Sequence, residues 1–258
     1  MPSILFEIKN SIAYITLNRP EKFNSFNREM SLLMQKHLDE SSSSNDIRCV
    51  YITGAGKAFS AGQDLSELTG DDALGIDKIL SEHYNPIITR IRNMPKPVVA
   101  AVNGVAAGAG ANIALCCDIV VAALSSSFIQ AFSKIGLIPD SGGTYFLPRL
   151  IGWQKASALM MLGEKVPATE AEKLGMIYKA FADESFADES TKIATTLSQM
   201  PTKGLAFTKE VLSLSFNNSL EEQLSAEDSL QQKAAKTYDY NEGVAAFLEK
   251  RIPVFKGE

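Results

Sequence analysis

The stretch KPVVAAVNGVAAGAGAN, residues 96–112, decides the class of fold. Its apolar residues 98–102 run without alternation, which predicts a strand buried on both faces, as in a parallel sheet covered by helices. The small residues that follow predict a tight connection and the start of a helix. A second buried strand is predicted at residues 119–123. Strands and helices alternate over about the first 180 residues and helices alone follow, so we expect an α/β core with a helical tail.

The composition is that of an ordinary folded protein. The chain has 258 residues, of which 45% are hydrophobic and 21% charged, and its formal net charge is −5. An acidic chain lacks the electrostatic footprint of a nucleic-acid-binding protein, so we expect no such partner. The longest apolar runs are far too short to span a bilayer, and residues 1–8 lack the pattern of a signal peptide. We therefore expect no membrane partner either.

The cysteines and histidines argue against three kinds of chemistry. Cys49, Cys116 and Cys117 are odd in number and lie in apolar surroundings, which argues against a disulfide framework and predicts a reducing, cytoplasmic location. His37 and His83 have no partner at metal-ligand spacing, so no metal ion is expected. A nucleophile-elbow motif is absent as well, which disfavours a serine–histidine–aspartate triad.

Two glycine pairs invite a phosphate-binding interpretation that their spacing does not support. The residues around Gly54 and Gly56 lack the Walker spacing, and a turn at the end of a strand explains them better. Gly108 and Gly110 lack the third glycine of a dinucleotide fingerprint, because Ile113 occupies its place. This second pair leaves two interpretations open: close packing of a helix on a strand, or a backbone amide presented at the start of a helix.

Asp140 is the candidate acid in the stretch FSKIGLIPDSGGT, residues 132–144. It follows an apolar run, and an acid in a dry pocket has the raised proton affinity that proton transfer near neutral pH requires. The same carboxylate, placed before Ser-Gly-Gly-Thr, is also a good helix N-cap. The residues alone favour the cap.

Six segments make the chain similar to one family over essentially its whole length. Each segment is weak alone, but six in this order are specific. They are LNRP (17–20), SAGQDL (60–65), KPVVAAVNG (96–104), GAGAN (108–112), GLIPDSGGT (136–144) and EGVAAFLEKR (242–251). The chain therefore resembles the crotonase (enoyl-CoA hydratase/isomerase) superfamily.

The resemblance implies a fold, an assembly and a substrate class. Residues 1–195 would form a spiral of repeated ββα units with the CoA and catalytic sites. Residues 196–258 would form a helical region that builds trimers, commonly paired into hexamers. The substrate would be an acyl-CoA thioester, and no separate cofactor is implied because coenzyme A is part of the substrate. Two backbone amides, mapped to Gln63 and Ala109, would polarise the thioester carbonyl and stabilise an enolate.

Departures from the family pattern point to isomerisation. The two glutamates that hydratases of this family use map to Asn112 and Phe132, and neither of these residues can activate water as a base. Hydratase activity is therefore not expected. Asp140 falls where several isomerases of the family carry their acidic residue, so the resemblance favours a proton shuttle over a helix cap.

Among these isomerases, the chain is most similar to those that convert ring-1,2-epoxyphenylacetyl-CoA to oxepin-CoA in phenylacetate catabolism. The similarity lies in residues 61–65, 103–111, 131–140 and 239–244. The resemblance implies that such enzymes can also shift the double bond of a 3-enoyl-CoA to position 2. Two alternatives stay open. One is a Δ3,Δ2-enoyl-CoA isomerase of fatty-acid oxidation, and the other is a non-catalytic acyl-CoA-binding member of the family.

The resemblance also implies which residues hold the substrate. Those expected at the CoA nucleotide are Lys22, Phe23 and Asn24. Those expected around the pantetheine, the adenine and the thioester are Ser60, Ala61, Gly62, Asp64, Leu65, Gly108 and Phe132. Phe255 and Lys256 would reach the CoA of a neighbouring subunit. The acyl pocket is expected to involve residues 66–84, Phe132 and Trp153, and the polar stretch at 70–73 predicts a mobile loop.

Overall fold

The computed structural model describes residues 1–69 and 74–258, so the loop predicted at residues 70–73 lies outside the described residues. The strands are β1 (Ile4–Lys9), β2 (Ile12–Leu17), β3 (Cys49–Gly54), β4 (Ala58–Ser60), β5 (Val98–Val102), β6 (Val105–Ala107), β7 (Ile119–Ala123), β8 (Ser127–Ile129), β9 (Lys165–Pro167) and β10 (Lys179–Phe181). The α-helices are α1 (Arg28–Ser43), α2 (Ile76–Lys78), α3 (Asn85–Asn93), α4 (Ala109–Leu115), α5 (Gly143–Ile151), α6 (Trp153–Leu162), α7 (Ala168–Lys173), α8 (Asp183–Gln199), α9 (Thr202–Leu214), α10 (Leu220–Ala234) and α11 (Tyr238–Glu249). Short 3₁₀ segments cover Pro20–Lys22, Leu65–Leu68 and Ala131–Ile135.

Two sheets form the scaffold. The large sheet has the strand order β1-β2-β3-β5-β7-β10, and the small sheet has the order β4-β6-β8-β9. The β1–β2 hairpin is antiparallel, whereas β2, β3, β5, β7 and β10 pair in parallel. In the small sheet β4, β6 and β8 are parallel, and β9 runs antiparallel to β8.

The chain visits the two sheets in a repeated order. Each of β3, β5 and β7 is followed within a few residues by β4, β6 or β8 of the small sheet, and then by a helical segment. This repeat is the ββα spiral that the sequence predicts. The α/β fold with a helical C-terminal region is confirmed, since α8 to α11 follow the last strand.

Strand β5 lies in the middle of the large sheet and is covered on both faces. Val98, Ala100 and Val102 pack into the main core, whereas Val99 and Ala101 belong to the cluster that α8 covers. None of the five has exposed surface. The unbroken apolar run therefore correctly predicts a strand without a solvent face.

The helical segment before β5 runs through Pro86 without a break. Helix α2 continues into one turn of π-helix, Ile79–Tyr84, and then directly into α3. Pro86 lies in the first turn of α3. Proline lacks the amide that a regular α-helix would use, and the wider π turn before it accommodates the change, so the segment runs on.

The C-terminal tail folds back on the rest of the chain. Asp239 of α11 accepts hydrogen bonds from the amides of Lys256 (2.7 Å) and Gly257 (2.8 Å), and Arg48 donates to the carbonyl of Phe255 (2.8 Å). Helix α8 continues across residue 195, where the sequence places the end of the core. The division into residues 1–195 and 196–258 stays a prediction.

The C-terminal helices and the tail expose large apolar side chains. Those more than half exposed are Leu212, Leu220, Leu224, Tyr240, Phe247, Leu248, Ile252 and Val254. An apolar surface of this kind is typical of a face that another protein covers. Across residues 1–69 and 74–258, no helix combines the length and apolar character needed to cross a membrane.

Candidate active site

One cavity of about 490 Å³ brings together the segments that follow β4, β6 and β8. The residues from the turn after β4 are Ala61, Gly62, Gln63, Leu65 and Leu68. Those from the helical segment 76–85 are Ile76, Ile79, Leu80, Tyr84 and Asn85. Those from the start of α4 and from the chain between β8 and α5 are Gly108, Ala109, Ala131, Phe132, Lys134, Ile135, Leu137, Ile138, Pro139, Asp140, Ser141, Gly142 and Thr144.

The turn after β4 presents the backbone amide of Gln63 at this cavity. The amide of Phe26 donates to the Gly62 carbonyl (2.7 Å), and the amide of Asp64 donates to the Phe26 carbonyl (2.8 Å), so the backbone on either side of Gln63 is held. The Gln63 amide itself has no backbone acceptor among the described residues. A donor that is fixed but unpaired can serve a ligand oxygen without reorganising.

The amide of Ala109 comes close to this turn. Ala109 is the first residue of α4, so its N–H has no acceptor within the helix. A Cβ placed on Gly62 would lie 3.3 Å from the Ala109 nitrogen and 2.8 Å from the Ala107 carbonyl oxygen. Gly62 also has a φ of +88°, which side chains rarely adopt. The close approach of the two segments therefore requires glycine at position 62.

Asp140 stands at the same cavity, just before α5. Burial raises the pKa of its carboxyl group, and the hydrogen bond that the Ser141 hydroxyl donates to Oδ1 (2.8 Å) opposes that rise. Helix α5 begins at Gly143 without a side-chain cap, so the interpretation of Asp140 as a helix cap is wrong. Instead the backbone carbonyl of Asp140 accepts from the amide of Gly143 (2.9 Å), and the carboxylate does not cap the helix.

The two positions to which the resemblance maps the hydratase glutamates hold a paired amide and an apolar ring. The Nδ2 of Asn112 donates to the carbonyl of Asp140 (2.8 Å), and its Oδ1 accepts from the Nε2 of Gln130 (2.7 Å). Asn112 is fully buried. Phe132 lines the cavity, and its ring lies 3.8 Å from where a Cβ on Gly108 would stand.

Tyr84 is a wall residue that the sequence places only within the broad range 66–84. Its hydroxyl donates to the Oε1 of Gln63 (2.8 Å), and the Nε2 of Gln63 donates to the Oε2 of Glu67 (3.1 Å). Burial first, and the nearby charge of Asp140 second, raise the pKa of Tyr84 well above its ordinary value. Tyr84 therefore stays protonated and holds the Gln63 side chain.

The cavity contains eight of the residues that the sequence assigns to the site. They are Ala61, Gly62, Gln63, Leu65, Gly108, Ala109, Phe132 and Asp140. The remaining seven are not among its described lining residues: Lys22, Phe23, Asn24, Ser60, Asp64, Phe255 and Lys256. Trp153, expected at the acyl pocket, is 75% exposed and is not a described lining residue either.

Three of those seven side chains support the neighbouring turns. The Nδ2 of the buried Asn24 donates to the carbonyls of Ala55 (2.9 Å) and Ala58 (2.7 Å). The Ser60 hydroxyl donates to the Asn24 carbonyl (2.8 Å), and Asp64 pairs with Arg19 at 2.9 Å. Direct contact of these three side chains with CoA stays a prediction.

The other two pairs of residues expected at the CoA, Lys22 with Phe23 and Phe255 with Lys256, are also outside the described lining of the cavity. Lys22 and Phe23 belong to the turn beside Ala61, whose amide donates to the Phe23 carbonyl (2.9 Å). Lys256 lies against its own helix α11, with its Nζ 4.2 Å from the centre of the Tyr238 ring, and Phe255 is in the same tail. Contact of this tail with the CoA of another subunit stays a prediction.

Comparison with known proteins agrees with the fold. The family described as enoyl-CoA hydratase/isomerase matches residues 7–258. The chain is 44% identical to the 1,2-epoxyphenylacetyl-CoA isomerase of Escherichia coli K12, with 100% of both chains covered. It is 36% identical to the trans-2-decenoyl-(acyl-carrier-protein) isomerase of Streptococcus mutans, covering 99% of this chain and 98% of that one. A solved structure of an enoyl-CoA hydratase from Bacillus anthracis, 31% identical, covers 99% of this chain and 100% of its own with a TM-score of 0.93.

The chain therefore belongs to the enoyl-CoA hydratase/isomerase family, the crotonase superfamily. The matched relatives carry the names of isomerases and hydratases that act on thioesters of coenzyme A or, in one case, of acyl-carrier protein.

Proposed function

We propose that this protein is an acyl-CoA isomerase in which Asp140 moves a proton while the amides of Gln63 and Ala109 hold the thioester oxygen. The observation that carries the proposal is the shared cavity: Asp140 is the only carboxylate among its described lining residues, and both amides stand there without backbone acceptors. A base and an oxyanion site at one cavity are the parts needed to remove a proton next to a thioester.

The environment of Asp140 suits a base that must also return its proton. An ordinary aspartate binds a proton too weakly for this task near neutral pH. Burial raises the pKa of Asp140, which strengthens its basicity. In a 3-enoyl-CoA, Asp140 would take a proton from C2 and deliver it to C4, so the double bond moves to position 2 and no atom is gained or lost.

The two amides would stabilise the negative charge that develops on the thioester oxygen. Both belong to backbone that neighbouring contacts hold in place, so little reorganisation is needed during the reaction. Removal of one donor from such a site costs about 2.7–4 kcal/mol of transition-state stabilisation. Side-chain deletion at Gln63 or Ala109 does not remove a backbone donor, so the test requires displacement of the backbone.

For the substrate, we propose ring-1,2-epoxyphenylacetyl-CoA, converted to oxepin-CoA, and 3-enoyl-CoA. The supports are the motif likeness, the isomerase of Escherichia coli at 44% identity, and the cavity's many apolar residues. We propose that hydration is not the main reaction, because Asn112 has both its polar atoms engaged and Phe132 has no acid–base group. Relatives with the hydratase name make a direct comparison of the reactions necessary.

The experiment is a set of parallel assays on the purified protein with the ring epoxide, a 3-enoyl-CoA and a 2-enoyl-CoA in water. Turnover of the epoxide supports the proposal in full. Turnover of the 3-enoyl-CoA alone favours the Δ3,Δ2-enoyl-CoA isomerase of fatty-acid oxidation. Hydration of the 2-enoyl-CoA as the fastest reaction contradicts the isomerase. Tight binding of CoA with no turnover of any substrate would indicate a non-catalytic family member.

We also propose a cytoplasmic trimer or hexamer. The exposed apolar side chains of α9 to α11 support self-association, because a face of this kind is commonly covered in an assembly. Light scattering of the purified chain measures the number of copies. A monomer at micromolar concentration would contradict the assembly without affecting the proposed chemistry.

A further inference from the structure

Helix α4 connects the two halves of the candidate site. Its first residue, Ala109, supplies one of the two unpaired amides, and its fourth residue, Asn112, makes a hydrogen bond of 2.8 Å to the carbonyl of Asp140. Asp140 lies 28 residues further along the chain, after β7, β8 and a 3₁₀ segment. Helix α4 therefore contacts the backbone of the proposed acid and carries one of the two proposed oxyanion donors.

We propose that Asn112 is a positioning residue that fixes Asp140 relative to the amide of Ala109. This inference rests on the proposed function, because it assigns Asn112 a task only if Asp140 moves the proton. Misplacement of a reacting group by about 1 Å can cost about 100-fold in rate, so a bond of this kind can set the rate without touching the substrate.

The orientation of the Asn112 amide is defined by a second bond. Gln130 donates through Nε2 to the Oδ1 of Asn112 (2.7 Å), which leaves Nδ2 as the atom that meets Asp140. The Oε1 of Gln130 has no partner among the described residues although Gln130 is buried. An unpaired buried oxygen costs free energy, and the bond from Nε2 to Asn112 offsets part of that cost.

The turn that carries Asp140 needs an external tether. Ser141 has a φ of +52° and Gly142 a φ of +74°, so the turn is left-handed at two consecutive residues, one of which is not glycine. Side chains at such φ values are strained and persist only where neighbouring contacts hold them. The first residue of α5 also packs tightly against Asn112, because a Cβ on Gly143 would lie 2.4 Å from the Nδ2 of Asn112.

The residue type at position 112 matters for this task. An amide donates a hydrogen bond to a carbonyl, whereas an ionised carboxylate only accepts. The asparagine that stands where hydratases of the family carry a glutamate is therefore matched to holding a carbonyl. In this chain the position supports the acid of the next segment.

The test compares Asn112→Ala with Asn103→Ala, which is a matched control. Asn103 also bridges two segments, donating to the Gly56 carbonyl (3.0 Å) and accepting from the Gly54 amide (3.0 Å), and it is not a described lining residue of the cavity. We expect Asn112→Ala to lower kcat at least about tenfold with KM changed less than about threefold, whereas the control keeps kcat within about twofold.

The pH profile separates positioning from simple loss of folded protein. Loosening the turn admits water to Asp140, so the acid limb of kcat/KM should move to lower pH in Asn112→Ala. Tyr84 and Lys134, the other titratable side chains in the described lining, are unchanged in this variant. If the substitution only reduced the amount of folded protein, the folded molecules would still hold Asp140 in its wild-type place. The maximum of the kcat/KM profile would then be lower, and the pH of its acid limb would not move.

The outcomes are distinct. If Asn112→Ala keeps wild-type kcat and pH profile while Asp140→Asn is inactive, the positioning role is wrong and the proposed function stands. If Asp140→Asn keeps wild-type activity, the proposed function itself fails. Should Asn112→Ala not fold, Gln130→Met removes only the bond that orients Asn112. A lower kcat at unchanged KM in that variant supports the role, and wild-type kinetics overturn it.

Discussion

The Ser141 hydroxyl donates a hydrogen bond of 2.8 Å to the Oδ1 of Asp140, the residue directly before it. This bond stabilises the carboxylate and lowers the pKa of Asp140, while burial, the larger effect, raises it. A hydrogen bond from the backbone amide of Asp140 itself also lowers this pKa. Ser141 thus offers a way to change the proton affinity of Asp140 without altering Asp140.

Ser141→Ala is expected to move the acid limb of kcat/KM to higher pH, because it removes a hydrogen bond that stabilises the carboxylate and lowers the pKa of Asp140. Activity depends on the carboxylate form, so it falls at low pH and is preserved above the new pKa. Ser141→Gly is the control, since it also lacks the hydroxyl but relieves the φ of +52°. The two variants should share the pH shift and differ in stability. An unmoved limb in both would contradict this role.

Gly62→Ala is expected to lower kcat about 10²–10³-fold, as for the loss of one oxyanion donor. The added Cβ would meet the Ala107 carbonyl at 2.8 Å and push the Gln63 and Ala109 amides apart. Gly152→Ala is the matched control. Gly152 has a φ of +77°, yet no described atom lies within 4 Å of the place its added Cβ would take, and it is not in the described lining. Equal loss of activity in both variants would mean that strain alone is responsible.

Tyr84→Phe is expected to lower kcat less than about tenfold and to destabilise the fold by about 1 kcal/mol, the net value of one hydrogen bond. The ring keeps its wall position, and only the bond to Gln63 is lost. The acid limb should stay close to its wild-type position, because Tyr84 is protonated throughout and does not exchange protons. A loss of activity as large as that of Asp140→Asn would show that the hydroxyl takes part in proton transfer. Denaturant unfolding and a pH profile measure both effects.

The buried strands could be predicted from the sequence because their signals are local. Residues 98–102 form an unbroken apolar run, which leaves a strand without a solvent face as the natural outcome. Gly62 combines a φ of +88° with close packing, so its place in a glycine-containing motif has a direct structural cause. Asp140 stands before a Ser-Gly-Gly turn, and the start of α5 shows no side-chain cap there, whereas the role of Asp140 as the acid stays a prediction.

The supporting contacts could not be predicted because they join distant residues. Tyr84 is hydrogen-bonded to Gln63, 21 residues away in the chain, and Asn112 to Asp140, 28 residues away. No periodic pattern in the sequence indicates either pair. A motif also does not separate residues that touch a ligand from those that hold a loop. Ser60 lies within the SAGQDL motif, residues 60–65, yet it is fully buried and its hydroxyl donates to the Asn24 carbonyl.

The central claim is that Asp140 moves the proton, and Asp140→Asn tests it most directly. Asparagine keeps the size of the side chain and can still accept from Ser141 through Oδ1, so folding and the binding of CoA should match the wild type. We expect kcat to fall by about 10²–10⁴ with both the ring epoxide and a 3-enoyl-CoA, at an unchanged dissociation constant for CoA. Turnover of either substrate at the wild-type rate in this variant would contradict it.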